Sequence, residues 1–449
     1  MLDLKVINGT LVIPGTGKVR AGVGCKDGKI VVIGAEDLLP DAARTYDAAG
    51  KYVLPGVIDP HTHLGIYTGD FGYEAENESR AALAGGITTM GMFMGGGDPY
   101  VPMLPGLIET ANARLSTDLF IHLSMFAPQQ LDEIPALIDM GITSFKFYMC
   151  GVRGVYPNVS DAFIYDGLSR LVAIGGHLTG CVHCEDQSMV DAAFDKLAAE
   201  KPEGGLCEWS ESGPAEAEEL AVIRACYLSA KTGARFYLVH QSSAAGVKAA
   251  KANRPATVFV ETTSPYLSLS KNCDAGLLAK MLPVIKEESD REALWDAVKD
   301  GTINSIGTDN VSLTKEIKGA EKGMLGAMAG YPVLQTHLTV LLHEGVNKRG
   351  VALERLVEVT SRNPAQIFGV YPKKGTIAVG TDADMVVVDL EKEDVVRASN
   401  MYSFGDFSLY EGQTMKGWPV ATIKNGQVAV ENNKILVEPG FGKFIPRTK

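Results

Sequence analysis

The chain has 449 residues, 46% of them hydrophobic and 21% charged, with a net charge of −12. That is enough apolar sequence for a large core, and it is longer than most single domains, although an α/β barrel can use most of such a length. The acidic surplus argues against a nucleic-acid partner, which would show basic clusters. No apolar run approaches the length of a membrane span. The start, Met1-Leu2-Asp3-Leu4-Lys5-Val6, has neither the basic region nor the long apolar stretch of a secretion signal. Seven scattered cysteines suggest no disulfide framework, so a cytoplasmic setting is expected. Cys181 and Cys184 have C-x-x-C spacing but fall in the apolar run Leu178 to Cys184, which reads as a buried strand rather than a redox motif.

In chain order, residues 1–52 read as short strands broken by glycine turns: Leu4–Ile7, Thr10–Ile13 and Ile30–Gly34. From 53 to 370, short apolar strands alternate with helical stretches such as Ser188–Glu200 and Ala215–Thr232. The expected strands are Val53–Asp59, Thr88–Met94, Leu119–Met125, Ser144–Met149, Gly180–Cys184, Phe236–His240, Thr257–Glu261 and Asn304–Gly307. Eight such units predict an α/β fold, a (β/α)8 TIM barrel, rather than a doubly wound sheet. No Gly-x-Gly-x-x-Gly opens a helix after a strand, so a dinucleotide site has no support. Past 370, Ala383–Asp389 and Val420–Val428 look like strands again. Neither end can close a core alone, so 1–52 and 371–449 are expected to form one small β-sandwich beside the barrel.

Polar residues at the expected strand ends carry the chemistry. His61-Thr62-His63 closes the first strand, and residues two apart on a strand share a face, so the imidazoles make a clamp for a metal such as zinc. A bare His-x-His also arises by chance, with one ring on the surface. Here, however, His183, His240 and Asp309 (in Ile306-Gly307-Thr308-Asp309-Asn310) end further strands, and four of only eight histidines fall at such ends. Barrel active sites lie at the carboxyl ends of strands. Lys146 stands alone in the apolar run Ser144 to Met149, where a bare ammonium is costly unless paired or chemically altered. The other histidines, His122, His177, His337 and His343, match no motif and are expected to be structural or surface residues.

The set His61-x-His63, Lys146, His183, His240 and Asp309 resembles the binuclear amidohydrolase superfamily. Leu54–His63, Ser144-Phe145-Lys146, Val182–Glu185, Val239–Ser243, Asn363–Gly369 and Lys374–Asp384 are similar to its cyclic amidase branch of dihydropyrimidinases, hydantoinases and allantoinases. The resemblance implies two divalent ions, Zn2+ by preference. The first two histidines and Asp309 hold the buried ion, His183 and His240 the exposed one, and a carbamylated Lys146 bridges them. It further implies opening of a small cyclic amide or ureide by a hydroxide shared between the ions, with Asp309 as proton carrier, and a homotetramer. The family's non-catalytic collapsin response mediator proteins lack the ligands that are all present here. A mononuclear deaminase would not need Lys146.

The specificity segments depart from that pattern. Dihydropyrimidinases and hydantoinases place an oxyanion-binding Tyr five residues after the lysine, where this chain has Gly151. Allantoinases also lack it, so an allantoinase or an amidase for an atypical cyclic amide or imide stays open. Tyr148, Arg153 and Tyr156 are the candidate replacements. Thr263 and Ser264 are candidate substrate contacts through their backbone, and Asn310 is a weaker one. After Asp309 the family's His and Cys/Ser-Pro give way to Asn310-Val311-Ser312-Leu313.

Overall fold

The computed structural model describes residues 1–449. Its centre is a ring of eight parallel strands: β1 (Val57–His63), β2 (Ile87–Met94), β3 (Asp118–Ser124), β4 (Ser144–Tyr148), β5 (Thr179–His183), β6 (Arg235–Leu238), β7 (Val258–Thr263) and β8 (Ser305–Gly307). Each pairs in parallel with the next. Closure comes just past β8, where Asn310–Val311 pairs with Thr62 and His63 of β1. Asp59 rivets that seam, its carboxylate accepting from the Thr308 hydroxyl (2.6 Å) and from the Thr308 and His61 amides (3.0 and 3.1 Å). These strands are buried on both faces, as parallel strands covered by helices should be.

The first strand starts later than its apolar run suggests. Tyr52–Pro55 is a separate strand that joins the terminal sheets, and the barrel begins at Val57. Gly56 makes the break, because a Cβ there would lie 2.3 Å from the Thr88 hydroxyl. Both chain ends do share one β-structure. A four-stranded sheet holds Leu2–Ile7 between Gly22–Lys26 and Ala42–Asp47, and a seven-stranded sheet holds Met385–Val395 between Tyr52–Pro55 and Thr414–Lys424. Leu4, Val6, Val23, Val53, Met385 and Ile423 are among the residues that fill the space between them. The foot of the barrel is plugged by Phe93, Phe120, Cys181 and Tyr237, with Phe368 and Ile445 inserted from below. The last residues thus run under the barrel, where Arg447 is buried against the Phe120 ring.

Barrel and sandwich are joined by a buried charge network. The Lys374 ammonium lies 2.7 Å from Asp118, 3.1 Å from Asp382 and 2.5 Å from Asp384, and Lys424 reaches Asp118 at 2.8 Å. Three carboxylates this close would repel each other, but the two ammoniums neutralise most of the charge, so the cluster is a clasp rather than a cation site.

Candidate metal centre

Strand ends at the carboxyl mouth of the barrel bring the six candidate ligands together. The His61 and His63 rings leave β1 on one side, with centroids 5.4 Å apart. Their Nε2 atoms lie 3.1 and 3.3 Å from Oδ1 of Asp309. Lys146 on β4 puts Nζ 3.4 Å from Nε2 of His61. His183 ends β5, and its ring centroid lies 4.5 Å from that of His240, two residues past β6. All six residues are buried.

Backbone strain accompanies this convergence. His240 and Asp309 have φ of 41° and 52°, a left-handed region that residues other than glycine seldom adopt. Each is fixed by its neighbours. Asp309 donates its amide to the His61 carbonyl at 2.8 Å. The loop after His240 is held by Glu218 on the helix Ala215–Thr232, which takes the amides and hydroxyls of Ser242 and Ser243.

Two further carboxylates orient the imidazoles. Glu261 on β7 accepts from His61 Nδ1 and from the His240 amide, both at 3.0 Å. Glu185 accepts from His183 Nε2 at 2.8 Å. A carboxylate on the far nitrogen fixes the tautomer and direction of a ligating histidine. Glu185 and Glu261 stand inside the sequence motifs, but the sequence assigns them no role. Their signal was an acid two residues after His183 and an acid within an apolar strand.

The electrostatics suit a cation site. Burial pushes His63 down to about 4, so its ring is neutral and free to ligate. Burial opposes ionisation of Asp309, but His61 and the hydrogen bonds from His61 and His63 outweigh it and hold the carboxyl well below its usual range. Burial lowers the Lys146 ammonium, which lies over the Phe93 and Tyr148 rings at 4.3 and 4.9 Å and has no carboxylate ion-pair partner. His240 Nδ1 is buried without a hydrogen bond. Clustered imidazole and carboxylate donors and an unpaired lysine fit a pair of divalent ions better than they fit each other. Such a constellation at the mouth of a (β/α)8 barrel is that of a hydrolase site whose side chains could hold metal.

Above the ligands lies a small cavity of about 70 Å³, walled by Ile66, Tyr67, Tyr148, Val152, Val155, Tyr156, Met281 and Leu282 among others. A wider outer cavity of about 310 Å³ flanks it, with Cys150, Glu185, Phe194 and Trp209 on its wall. Tyr148 and Tyr156 therefore face the metal pocket. Gly151 explains why Tyr156 can. A Cβ at Gly151 would lie 2.5 Å from the Tyr156 carbonyl and 2.8 Å from the Asn158 amide, so only glycine lets this loop fold back on itself. The fold-back, with Tyr156 donating its amide to the Val152 carbonyl at 2.9 Å, swings the Tyr156 ring over the pocket.

The other candidates sit elsewhere. Arg153 is at the wall of the outer cavity, paired with Asp191 at 2.9 Å. Asn310 uses its amide to brace the strand exit, donating to Ser312 and accepting from the Val333 amide at 2.8 Å. Ser264 bonds His337 Nδ1 at 2.9 Å, and the Thr263 side chain is buried, so neither side chain wall the cavity. His122 is packed on Phe93 inside the barrel and bonded to Ser144. His177 caps the Gln366 carbonyl, and His343 accepts from the Lys416 amide.

Comparison with known proteins agrees with the geometry. The model of the amidohydrolase family matches residues 52–429, and the chain belongs to that family. It is 33% identical over 460 residues to an L-hydantoinase of Paenarthrobacter aurescens, covering 100% of this chain and 98% of the relative. An allantoinase of Bacillus licheniformis is 29% identical over 464 residues, covering 98% and 99%. The solved structure of an L-hydantoinase (dihydropyrimidinase) from Arthrobacter aurescens superposes with a TM-score of 0.91 at 31% identity over 100% of both chains.

Proposed function

We propose that the protein opens a small cyclic amide or ureide, of the dihydropyrimidine or 5-substituted hydantoin type, by metal-dependent hydrolysis. It is a hydrolase of cyclic amide C–N bonds. The observation that carries this reading is the meeting of His61, His63, Lys146, His183, His240 and Asp309 at one barrel mouth beneath a cavity of ring size. These residues would hold two zinc ions, with a carbamylated Lys146 between them. When bound, the ions supply Lewis acidity and lower the pKa of water from about 15.7 towards about 7.

The chain's own groups do the rest. Burial lowers the pKa of Lys146 and so makes its amine more available to carbon dioxide. The ammonium loses one proton to free the amine, a new N–C bond forms to carbon dioxide, a second proton leaves, and an anionic carbamate replaces the cation. Asp309 presents Oδ1 to the two histidines, while its Oδ2 makes no hydrogen bond to the protein. That oxygen takes the proton of the attacking water and passes it to the departing ring nitrogen. Burial raises the Tyr156 phenol, so it stays protonated, and its hydroxyl has no protein partner. It would donate to the oxyanion in the role left vacant by Gly151, a reading supported by its place on the pocket wall beside Tyr148. Thr263 and Ser264 contribute through their main chain. Ile66, Val152, Val155 and Leu282 give the ring an apolar wall.

Gly151 favours a second reading, an allantoinase or an amidase for an atypical ring, because that position is where the resemblance to hydantoinases breaks. Self-association is supported by apolar residues exposed at helical spacing, Leu220, Ile223 and Tyr227, beside Tyr165 and Val172 on the adjacent helix Asp161–Ile174, and the family resemblance makes a homotetramer the form proposed. No helix is long and apolar enough to cross a membrane. All seven cysteines are free, which supports a cytoplasmic setting.

The test is ring opening by zinc-loaded protein of dihydrouracil, a 5-substituted hydantoin, allantoin and a cyclic imide, with metal analysis of the same sample. Turnover of at least one ring with two ions per chain is expected. Two bound ions without activity on any ring would refute the substrate class. No bound ion after metal-supplemented expression would refute the site.

A further inference from the structure

We propose that Cys150, His183 and Glu185 form an additional, inhibitory cation site for a thiophilic divalent ion of the Cd2+ type. The site lies on the outer flank of the metal pocket. Their donor atoms all lie within 4.8 Å of one another, and all three residues are buried. No other cysteine belongs to a three-donor cluster. The Cys150 thiol has only a weak contact, to the Gly151 carbonyl at 3.6 Å, so it is free to turn. Glu185 and His183 already meet at 2.8 Å through Nε2, the nitrogen opposite Nδ1 on the ring.

One thiolate, one imidazole and one carboxylate, with a fourth side open to the outer cavity of about 310 Å³, is a donor set for a borderline-soft tetrahedral ion. Bonds of about 2.0–2.3 Å place such donors roughly 3.5 Å apart, so seating the ion opens the 2.8 Å His183–Glu185 contact slightly and draws the Cys150 sulfur inward by at most about 1.3 Å. The frame around them is firm: the Gly151 amide is pinned to Gln187 at 2.8 Å, and Gly213 stands against Glu185. Binding forms Sγ–metal, Nε2–metal and Oε–metal bonds. It releases the thiol proton of Cys150 to solvent, and the His183 proton moves from Nε2 to Nδ1, so the imidazole stays neutral. The thiolate and carboxylate then balance the dication, which a buried site requires.

The consequence is inhibition. An ion here takes over the Glu185 contact that orients His183, so the imidazole can no longer serve the catalytic pair in its original direction. This consequence rests on the reading of His183 as a catalytic ligand; the binding itself does not.

Cadmium titration of the zinc-loaded protein tests the proposal through the ultraviolet thiolate-to-cadmium charge-transfer band, since the catalytic ligands include no sulfur. One equivalent per chain should produce the band in the wild type and in Cys207→Ser and Cys273→Ser, which change the two cysteines that are not fully buried. Cys150→Ser and Cys150→Ala should lose the band while keeping their zinc and their circular dichroism. With a turned-over ring in hand, cadmium should inhibit the wild type at least tenfold more strongly than Cys150→Ser. A band that survives in both Cys150 variants, or no band in the wild type, would overturn the proposal. If the band behaves as expected but no ring is opened, the substrate reading fails and the cation site stands.

Discussion

Replacing Glu261 tests the ligand geometry at its most constrained point. One oxygen, Oε2, serves both His61 Nδ1 and the His240 amide at 3.0 Å each, while Oε1 has no partner. In Glu261→Gln the amide oxygen can occupy the Oε2 position and keep both donors paired. What disappears is the charge, and charge-assisted hydrogen bonds are about twice as strong as neutral ones. In Glu261→Ala both buried donors lose their acceptor, at about 1–3 kcal/mol each, so about 2–6 kcal/mol is lost from folding and metal binding together. Removing the carboxylate behind a ligating histidine lowers metal affinity by about 10–100-fold. Zinc dissociation constants from competition with a chromophoric chelator should therefore weaken about tenfold in Glu261→Gln and about 100-fold in Glu261→Ala, which should also melt earlier. Wild-type zinc affinity and melting in Glu261→Ala would refute the claim that this carboxylate aims the ligands.

Three other outcomes follow from particular contacts. Lys374→Met leaves Asp118, Asp382 and Asp384 facing one another and should cost about 3–5 kcal/mol at pH 7 in urea unfolding. Burial opposes the charge on Asp118, but Lys374 and Lys424 outweigh it and bring the carboxyl down to about 2. Its native contribution is therefore full above about pH 4 and is lost as the pH falls towards 2, so the mutant's deficit should shrink in acid; a deficit under about 1 kcal/mol at pH 7 would contradict the clasp. Glu78 behaves oppositely, since burial lifts it to about 7 against hydrogen bonds from Ser312, Ser403 and the Phe404 amide. Folded Glu78 thus binds protons more tightly than unfolded, and stability should fall from its ordinary value of 4.5 up to about 7. Glu78→Gln should remove that slope, worth on the order of 3 kcal/mol, as read by denaturation at pH 4.5 and pH 8; an unchanged slope would argue against it. Tyr156→Phe should lower kcat by about 100-fold with little change in KM, as loss of an oxyanion donor does; an unchanged kcat would leave the role to Tyr148.

The meeting of His61, His63, Lys146, His183, His240 and Asp309 at one barrel mouth was legible because polar side chains in apolar strands need a reason to be there, and strand ends are where such side chains converge. Lys146 is the clearest example, since a lone lysine in an apolar strand, buried over Phe93 and Tyr148, needs a reason to be there. The barrel and the shared terminal sheets were legible from alternating strands and helices and from two ends too short to fold alone. The start of β1 was not, because Tyr52 to Ile58 is one apolar run and its break depends on Gly56 meeting Thr88. The roles of Glu185 and Glu261 lie in contacts through space, in the second case 200 residues from its histidine in sequence. Tyr156 could not be separated from Tyr148 and Arg153 until the fold-back at Gly151 was seen. Asn310, which replaces a family residue, turned out to brace the closing strand.

The central claim is that Asp309 both holds metal and carries the proton in ring opening. Turnover of the preferred ring by Asp309→Asn, measured beside its metal content, tests it most directly. Turnover should be abolished in Asp309→Asn while the histidines retain at least part of the metal. A variant that binds both ions and opens the ring at a near-normal rate would contradict it.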